Sequence, residues 1–157
     1  MALEIERKFL LASEQWRQQV QRSISMRQAY LGGAGVSVRV RIAGDQARLN
    51  IKQAVLGSAR EEFEYDIPLA DGERLFELAT EGRVSKIRHH VRHEGLLWEI
   101  DEFQGANAGL IVAELELSSA AQVFARPDWL GPEVTDERRY YNHALAQQPF
   151  ATWEKDI

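Results

Sequence analysis

The chain has 157 residues, 45% of them hydrophobic, and no cysteine. That size and apolar fraction suit a single domain over 1–157 with a buried core and argue against disorder, and the lack of cysteine excludes disulfides, Cys-ligated zinc and iron–sulfur clusters and fits a reducing compartment. A net charge of −5 shows no basic excess of the kind nucleic-acid binders carry, so no nucleic-acid partner is expected, although an acidic chain can still gather cations in one cavity.

The N-terminus, MALEIERKFL, carries charges where a signal peptide needs an apolar run. No apolar stretch approaches the ~20 residues of a membrane span, so a cytoplasmic protein without membrane contact is expected. Leu3 to Leu10 alternates Leu3, Ile5 and Phe9 against Glu4, Glu6 and Lys8, which predicts a strand. Ser13 can start a short helix through SEQWRQQVQR. Ile24 to Leu31 reads as a second strand ended by Gly32-Gly33. Val36 to Ile42 is a third, with Arg39 and Arg41 on its polar face. Gly44-Asp45 turns the chain into Ala47 to Lys52, and Arg60 to Ile67 follows as a strand stopped by Pro68. Asp71 to Ala79 predicts an amphipathic helix. Val84 to Val91 and Leu96 to Phe103 read as strands joined at Glu94-Gly95, and Leu110 to Leu117 reads as the last strand. From Ser118 the chain is expected to be irregular or helical, with a terminal helix over Glu137 to Gln147. The fold class is therefore α+β, mainly β: about eight antiparallel strands with a few covering helices.

The charged face of each strand tends toward one sign. Glu4 and Glu6 precede Lys8; then come Arg39 with Arg41, Glu62 with Glu64, Lys86 with Arg88, Glu99 with Asp101, and Glu114 with Glu116. With Lys52 and Arg60 these faces hold eight acids and seven bases. Eight strands can close into a barrel whose interior holds one small ligand. Periodicity leaves open which face points inward. If the charged faces do, the apolar faces need cover, and Trp16, Val20, Leu75, Phe76, Leu78, Phe124, Trp129, Leu145, Phe150 and Trp153 are available for it. A charged lumen is costly unless its charges are paired or occupied. Phosphoryl transfer uses this mixture: Lys and Arg hold phosphate oxygens, and carboxylates hold hard divalent cations.

Glu4-Ile5-Glu6-Arg7-Lys8 resembles the ExExK signature of the CYTH superfamily, the triphosphate tunnel metalloenzymes. RQAYL (27–31), VRVRI (38–42), LNIK (49–52), EFEYDIP (62–68), WEIDEF (98–103), NAGLIVAELEL (107–117), PDWLGPEVT (127–135) and RYYN (139–142) also resemble its short bacterial members, in the family's order and over nearly the whole chain. The resemblance implies an antiparallel eight-stranded β-barrel, a tunnel with its charges inward. It implies a metal-dependent triphosphatase, with Mg²⁺ or Mn²⁺ as cofactor and inorganic triphosphate as a common substrate. By position, Glu4, Glu6, Glu114 and Glu116 would bind metal. Lys8, Arg39, Arg41, Lys52, Arg60, Lys86 and Arg88 would bind triphosphate, with Glu62, Glu64, Glu99 and Asp101 completing the lining. Lys8 would stabilise the leaving phosphate, and Tyr30 or Glu64 would receive the proton of the attacking water. The alternatives are an adenylate cyclase, a thiamine or nucleoside triphosphatase, or a non-catalytic triphosphate sensor on the same fold. The oligomeric state stays open, a homodimer included. The chain departs from the family in two places: His89 and His90 follow Arg88 where a tyrosine is frequent, and Asn50 stands where threonine is frequent. His89, His90 and His93 alternate across a strand, so surface or packing roles are expected for them rather than a shared metal.

Overall fold

The computed structural model describes residues 2–32 and 35–153. Its strands are β1 (Ala2–Leu11), β2 (Val20–Gly32), β3 (Val36–Ala43), β4 (Gln46–Gln53), β5 (Ala59–Ile67), β6 (Arg83–His93), β7 (Leu96–Phe103), β8 (Ile111–Glu116) and β9 (Leu130–Glu133). Gly33, half of the turn expected after the second strand, lies outside the described residues.

All pairings are antiparallel, in the order β5-β4-β3-β2-β6-β7-β8-β1-β9, and β5 also pairs with β1. That last pairing closes the first eight strands into a barrel. β5 lies along the start of β1, where the Glu6 amide donates to the Ser58 carbonyl at 2.9 Å. Past Lys8 the same edge passes to β9, whose following residue Val134 donates to the Lys8 carbonyl at 2.8 Å. Two hairpins rest on left-handed residues: Gly44 at φ 61° between β3 and β4, and Glu94 and Gly95 at φ 50° and 78° between β6 and β7. At Glu94-Gly95 the two consecutive positive φ angles give a turn whose twist matches that of the strands it joins.

The period-two faces sort as a closed tunnel requires. Glu4, Glu6, Lys8, Arg39, Arg41, Lys52, Glu62, Glu64, Lys86, Arg88, Glu99, Glu114 and Glu116 line one internal chamber. The structure thus decides the orientation that periodicity leaves open.

The apolar outer faces of β1, β6, β7 and β8 bury under Trp16, Phe124 and Trp129. Trp98 is at the centre, with ring contacts to Phe9, Phe124 and Trp129 at 5.6 to 5.8 Å. A helix, α1 (Leu69–Leu78), covers β3 and β4. It comes so close that a Cβ on Gly72 would stand 2.4 Å from the Ala47 Cβ. At one end of the barrel the lumen face itself turns apolar. There Tyr30, Val84, Phe103 and Val112 pack with Val134, Tyr140 and Leu145, and the second helix, α2 (Asn142–Gln147), stoppers that end.

Three expectations needed correction. The helix expected from Ser13 is a 3-10 turn over Gln15–Gln19, and Val20 already belongs to β2, opposite Val91. Pairing with β6 prevails over the helix, with a shift in register between Val20 and Arg22. The terminal helix breaks at Tyr141, which is extended (φ −73°, ψ 141°), and its hydroxyl donates to the Thr135 carbonyl at 2.6 Å. The stretch from Ser118, expected to be irregular or helical, contains the strand β9; Pro132 sits inside it, and among the described residues it pairs on one side only, along β1, where a missing N–H is tolerated. Among the described residues no helix is long and apolar enough to cross a membrane.

Candidate active site

The charged chamber encloses about 230 Å³. Cross-strand register decides what each charge meets, because residues directly opposite in an antiparallel pair share a face. Lys8 opposes Glu114, and its ammonium donates to Glu114 at 2.6 Å and lies 3.2 Å from Glu6. Arg88 opposes Asp101 and donates to both of its carboxylate oxygens, at 2.8 and 2.9 Å. It also reaches Glu99 at 3.2 Å and Glu114 at 3.4 Å. Lys86, fully buried, donates to Asp101 at 2.7 Å and to the Asn142 Oδ1 at 2.9 Å. Across the barrel, Lys52 lies 3.0 Å from Glu4 and 3.2 Å from Glu62. Arg48 holds Glu64 at 2.5 Å and Asp66 at 2.9 Å near the rim.

β3 is different. Arg41 donates to the neutral Gln28 Oε1 at 3.0 Å, and Arg39, only 7% exposed, has no ion pair and no hydrogen-bond partner for its Nε among the described residues. Their cross-strand neighbours are Tyr30 and Asn50 for Arg39, and Gln28 and Arg48 for Arg41. None of these is an acid.

The titration behaviour follows. Burial, then repulsion from Arg39 and Arg88, pulls Arg41 down to about 9. Burial likewise pulls Lys86 down to about 7, with Asp101 opposing and Arg88 and Arg41 assisting. Burial also disfavours charge on Glu114, but Lys8 and Arg88 outweigh it and hold the carboxyl well below the usual carboxylate range. Asp101 is held down in the same way, against its burial, by Arg88 and Lys86. Glu116 goes the other way: burial, then Glu4, Glu6, Glu99 and Glu62, push it up, and it has no ion pair among the described residues. Glu64 is partly buried, but Arg48 prevails and keeps it below its ordinary value.

Among the described residues no three acids or histidines stand together as a ready metal cluster. Glu4, Glu6 and Glu114 are turned onto bases instead, with the Lys8 ammonium between Glu6 and Glu114, while Glu116 has no ion pair among the described residues. Glu6 opposes Glu116 on the neighbouring strand, as Lys8 opposes Glu114. Oxygen donors on two adjacent strands, already holding one cation, suit the hard divalent ions that carboxylates prefer.

The remaining expected residues lie at the margins of the chamber. Arg60 lies in an adjoining vestibule of about 420 Å³, its guanidinium 4.9 Å from the Tyr141 ring. Tyr30, 2% exposed, borders the vestibule. Its hydroxyl is 3.5 Å from the Gln28 Nε2, and its ring lies edge-on to His143. Asp101 sits in the wall, fully buried behind Arg88 and Lys86. His89 faces outward, bonded to Ser23 and Glu102, whereas His90 is 3.6 Å from Glu99 on the lumen side.

Residue-by-residue reading did not single out Arg48, Tyr141 or Asn142, whereas Gln28 is expected on the face of Tyr30, able to point inward, and it does meet Tyr30 and Arg41. Alternation from Lys52 would have found Arg48. No alternation or charge pattern marks Asn142, which the sequence offers only as the end of the RYYN stretch; its Oδ1 accepts from Lys86 and from the Gln28 Nε2 at 2.8 Å.

The CYTH domain model matches residues 2–145. An inorganic triphosphatase from Acetivibrio thermocellus is 37% identical over 157 residues, covering 99% of this chain and 100% of its own. An inorganic triphosphatase from Nitrosomonas europaea is 38% identical over 149 residues, covering 91% and 96%. A solved structure of an inorganic triphosphatase superposes with a TM-score of 0.67 at 35% identity, over 92% of this chain and 97% of that one. The match spans the strands that carry the inward charges, and its relatives align end to end, so this chain belongs to the CYTH domain family.

Proposed function

We propose that the chain hydrolyses inorganic triphosphate to phosphate and pyrophosphate, using Mg²⁺ or Mn²⁺. The observation that carries this reading is the state of β3. Arg39 and Arg41 are cations held in a confined chamber without an ion pair among the described residues, facing a wall rich in carboxylates. An unpaired buried cation is costly, and a bound polyanion supplies the missing charge. The two triphosphatase relatives, aligned over almost all of their length, support the same substrate.

Arg39, Arg41 and Lys52 grip the phosphate chain from β3 and β4 and absorb charge that spreads onto its oxygens in the transition state. Arg88 and Lys86, fixed by Asp101, hold the far wall in shape and add positive field. Glu6, Glu114, Glu116 and Glu4 would hold the metal, which when bound polarises phosphate oxygens and offsets their charge. Lys8, released from its carboxylates, faces the leaving pyrophosphate. Water attacks the terminal phosphorus in line with the breaking P–O bond. Its proton passes to the Glu64 carboxylate, or to Tyr30 as the phenolate, and the bridging electron pair leaves with pyrophosphate.

The vestibule next to the chamber favours one second reading, in which a nucleoside sits there and its triphosphate reaches inward. A phosphate-release panel of triphosphate, pyrophosphate, ATP and thiamine triphosphate, with Mg²⁺, Mn²⁺ or EDTA, separates the two. Triphosphate should give the highest kcat/KM, and EDTA should abolish it. An ATP rate well above the triphosphate rate would transfer the assignment to nucleotides, and full activity in EDTA would remove the metal from it.

A further inference from the structure

Asn50 lies on the lumen face of β4, beside Arg39 on one neighbouring strand and Glu64 on the other. It is 1% exposed and lines the charged chamber, yet its Oδ1 has no hydrogen-bond partner among the described residues. The Nε of Arg39, its register partner, is likewise buried without an acceptor. Buried polar side chains are hydrogen-bonded as a rule, and each exception asks for an explanation. A phosphate oxygen in the cavity accepts from the Arg39 Nε, and it meets Asn50 as well once the amide is turned to present Nδ2 where Oδ1 now stands.

We infer that Asn50 is a substrate-reading residue that hydrogen-bonds the phosphate group gripped by Arg39. The terminal torsion of asparagine is broad and roughly two-fold, so a half-turn exchanges Oδ1 for Nδ2 at little cost. The amide then donates to a phosphate oxygen that also accepts from the Arg39 guanidinium. A neutral donor is the residue type that this position requires. A carboxylate would satisfy Arg39 permanently and close the anion site, while another base would add to the repulsion that already weighs on Arg41. The inference rests on the triphosphate reading.

The test is calorimetric titration with sodium triphosphate in EDTA, together with thermal melts and Mg²⁺-dependent phosphate release, for the wild type, Asn50→Ala, Asn50→Thr and Asn50→Asp. Asn50→Ala should bind about tenfold more weakly or worse, the loss expected for one hydrogen bond to a charged group, with an unchanged melting temperature. Asn50→Thr, which keeps a hydroxyl donor, should recover part of the affinity. Asn50→Asp should lose binding while melting higher, because its carboxylate pairs with Arg39. A residue that merely fills the wall would show the reverse: Asn50→Ala melts lower and binds like the wild type, which overturns the inference. If Asn50→Ala does not fold, wild-type affinity in Asn50→Asp overturns it equally. A wild type that binds but is out-competed by the variants defeats only the role of Asn50. A wild type that neither binds nor hydrolyses triphosphate overturns the functional reading and this inference with it.

Discussion

Two walls of the same tunnel carry the same kind of sequence and do opposite things with it. On β6, Lys86 and Arg88 stand two residues apart on the inward face, as Arg39 and Arg41 do on β3. Arg88 nevertheless ends in a four-contact network with Asp101, Glu99 and Glu114, while Arg39 ends with no ion pair among the described residues. The strands themselves do not explain the difference; their neighbours do. β6 lies beside β7, which brings Asp101 opposite Arg88. β3 lies between β2 and β4, which offer Tyr30, Gln28, Asn50 and Arg48. Strand order therefore turns one pair of bases into scaffold and the other into a receptor for anions.

The largest effect should come from the receptor wall. Arg39→Ala and Arg41→Ala should each lower kcat/KM for triphosphate by about 100-fold or more, the scale seen when one preorganised donor is removed from a transition-state site. Neither should cost stability. Arg41 titrates near 9, below its ordinary value, so its charge is disfavoured in the folded state. An Arg41→Met melting temperature at pH 7 equal to or above the wild type, with activity lost, is the expected pair of results. A variant that stays active but unfolds easily would mean that β3 is scaffold after all.

The scaffold wall should respond the other way. Asp101→Asn keeps shape but leaves Arg88 and Lys86 without their shared carboxylate, and breaking a buried pair from one side costs about 3–5 kcal/mol. Urea unfolding at pH 7 measures it. Acid should act through the same group. The folded pKa of Asp101 lies below its unfolded value, as does that of Glu114. Their contribution is therefore complete above the unfolded values, near pH 4, and is lost as pH falls through the folded ones. Wild-type stability should drop steeply below about pH 4, and Asp101→Asn should show a shallower drop from a lower plateau. Parallel acid limbs in the two proteins would place the acid sensitivity elsewhere.

The two walls also mark how far the sequence can be read. Which residues face inward was legible, because Glu4, Glu6 and Lys8 or Glu114 and Glu116 keep strict alternation, and one inward strand implies the rest once the barrel closes. What each base meets was not legible, since it depends on a register set by distant strands rather than on the residues beside Arg39 or Arg88. The same limit hid Asn142. Its place depends on the break at Tyr141, and that break depends on a hydroxyl reaching back to Thr135. β9 escaped because four residues containing Pro132 show no period, and its pairing exists only because β5 leaves the β1 edge free beyond Lys8.

The smallest effect is expected at the rim, and it bears on the proton acceptor. Arg48 is 45% exposed, and its partners Glu64 and Asp66 are 32% and 83% exposed. Exposed pairs contribute at most about 1 kcal/mol after solvent screening, so Arg48→Ala should hardly change stability. It should change Glu64, which Arg48 holds below its ordinary value against the effect of burial. A carboxylate so held is a weak base, and releasing it makes it a better one that protonates at higher pH. If Glu64 takes the proton from the attacking water, the acid limb of kcat in Arg48→Ala moves to higher pH while the plateau holds or rises. If Tyr30 takes it, that limb stays in place, and Tyr30→Phe removes turnover without weakening triphosphate binding. The limb's position, read beside an unchanged melting temperature, separates the two acceptors, because a purely structural role for Arg48 would move the melting temperature and leave the limb alone.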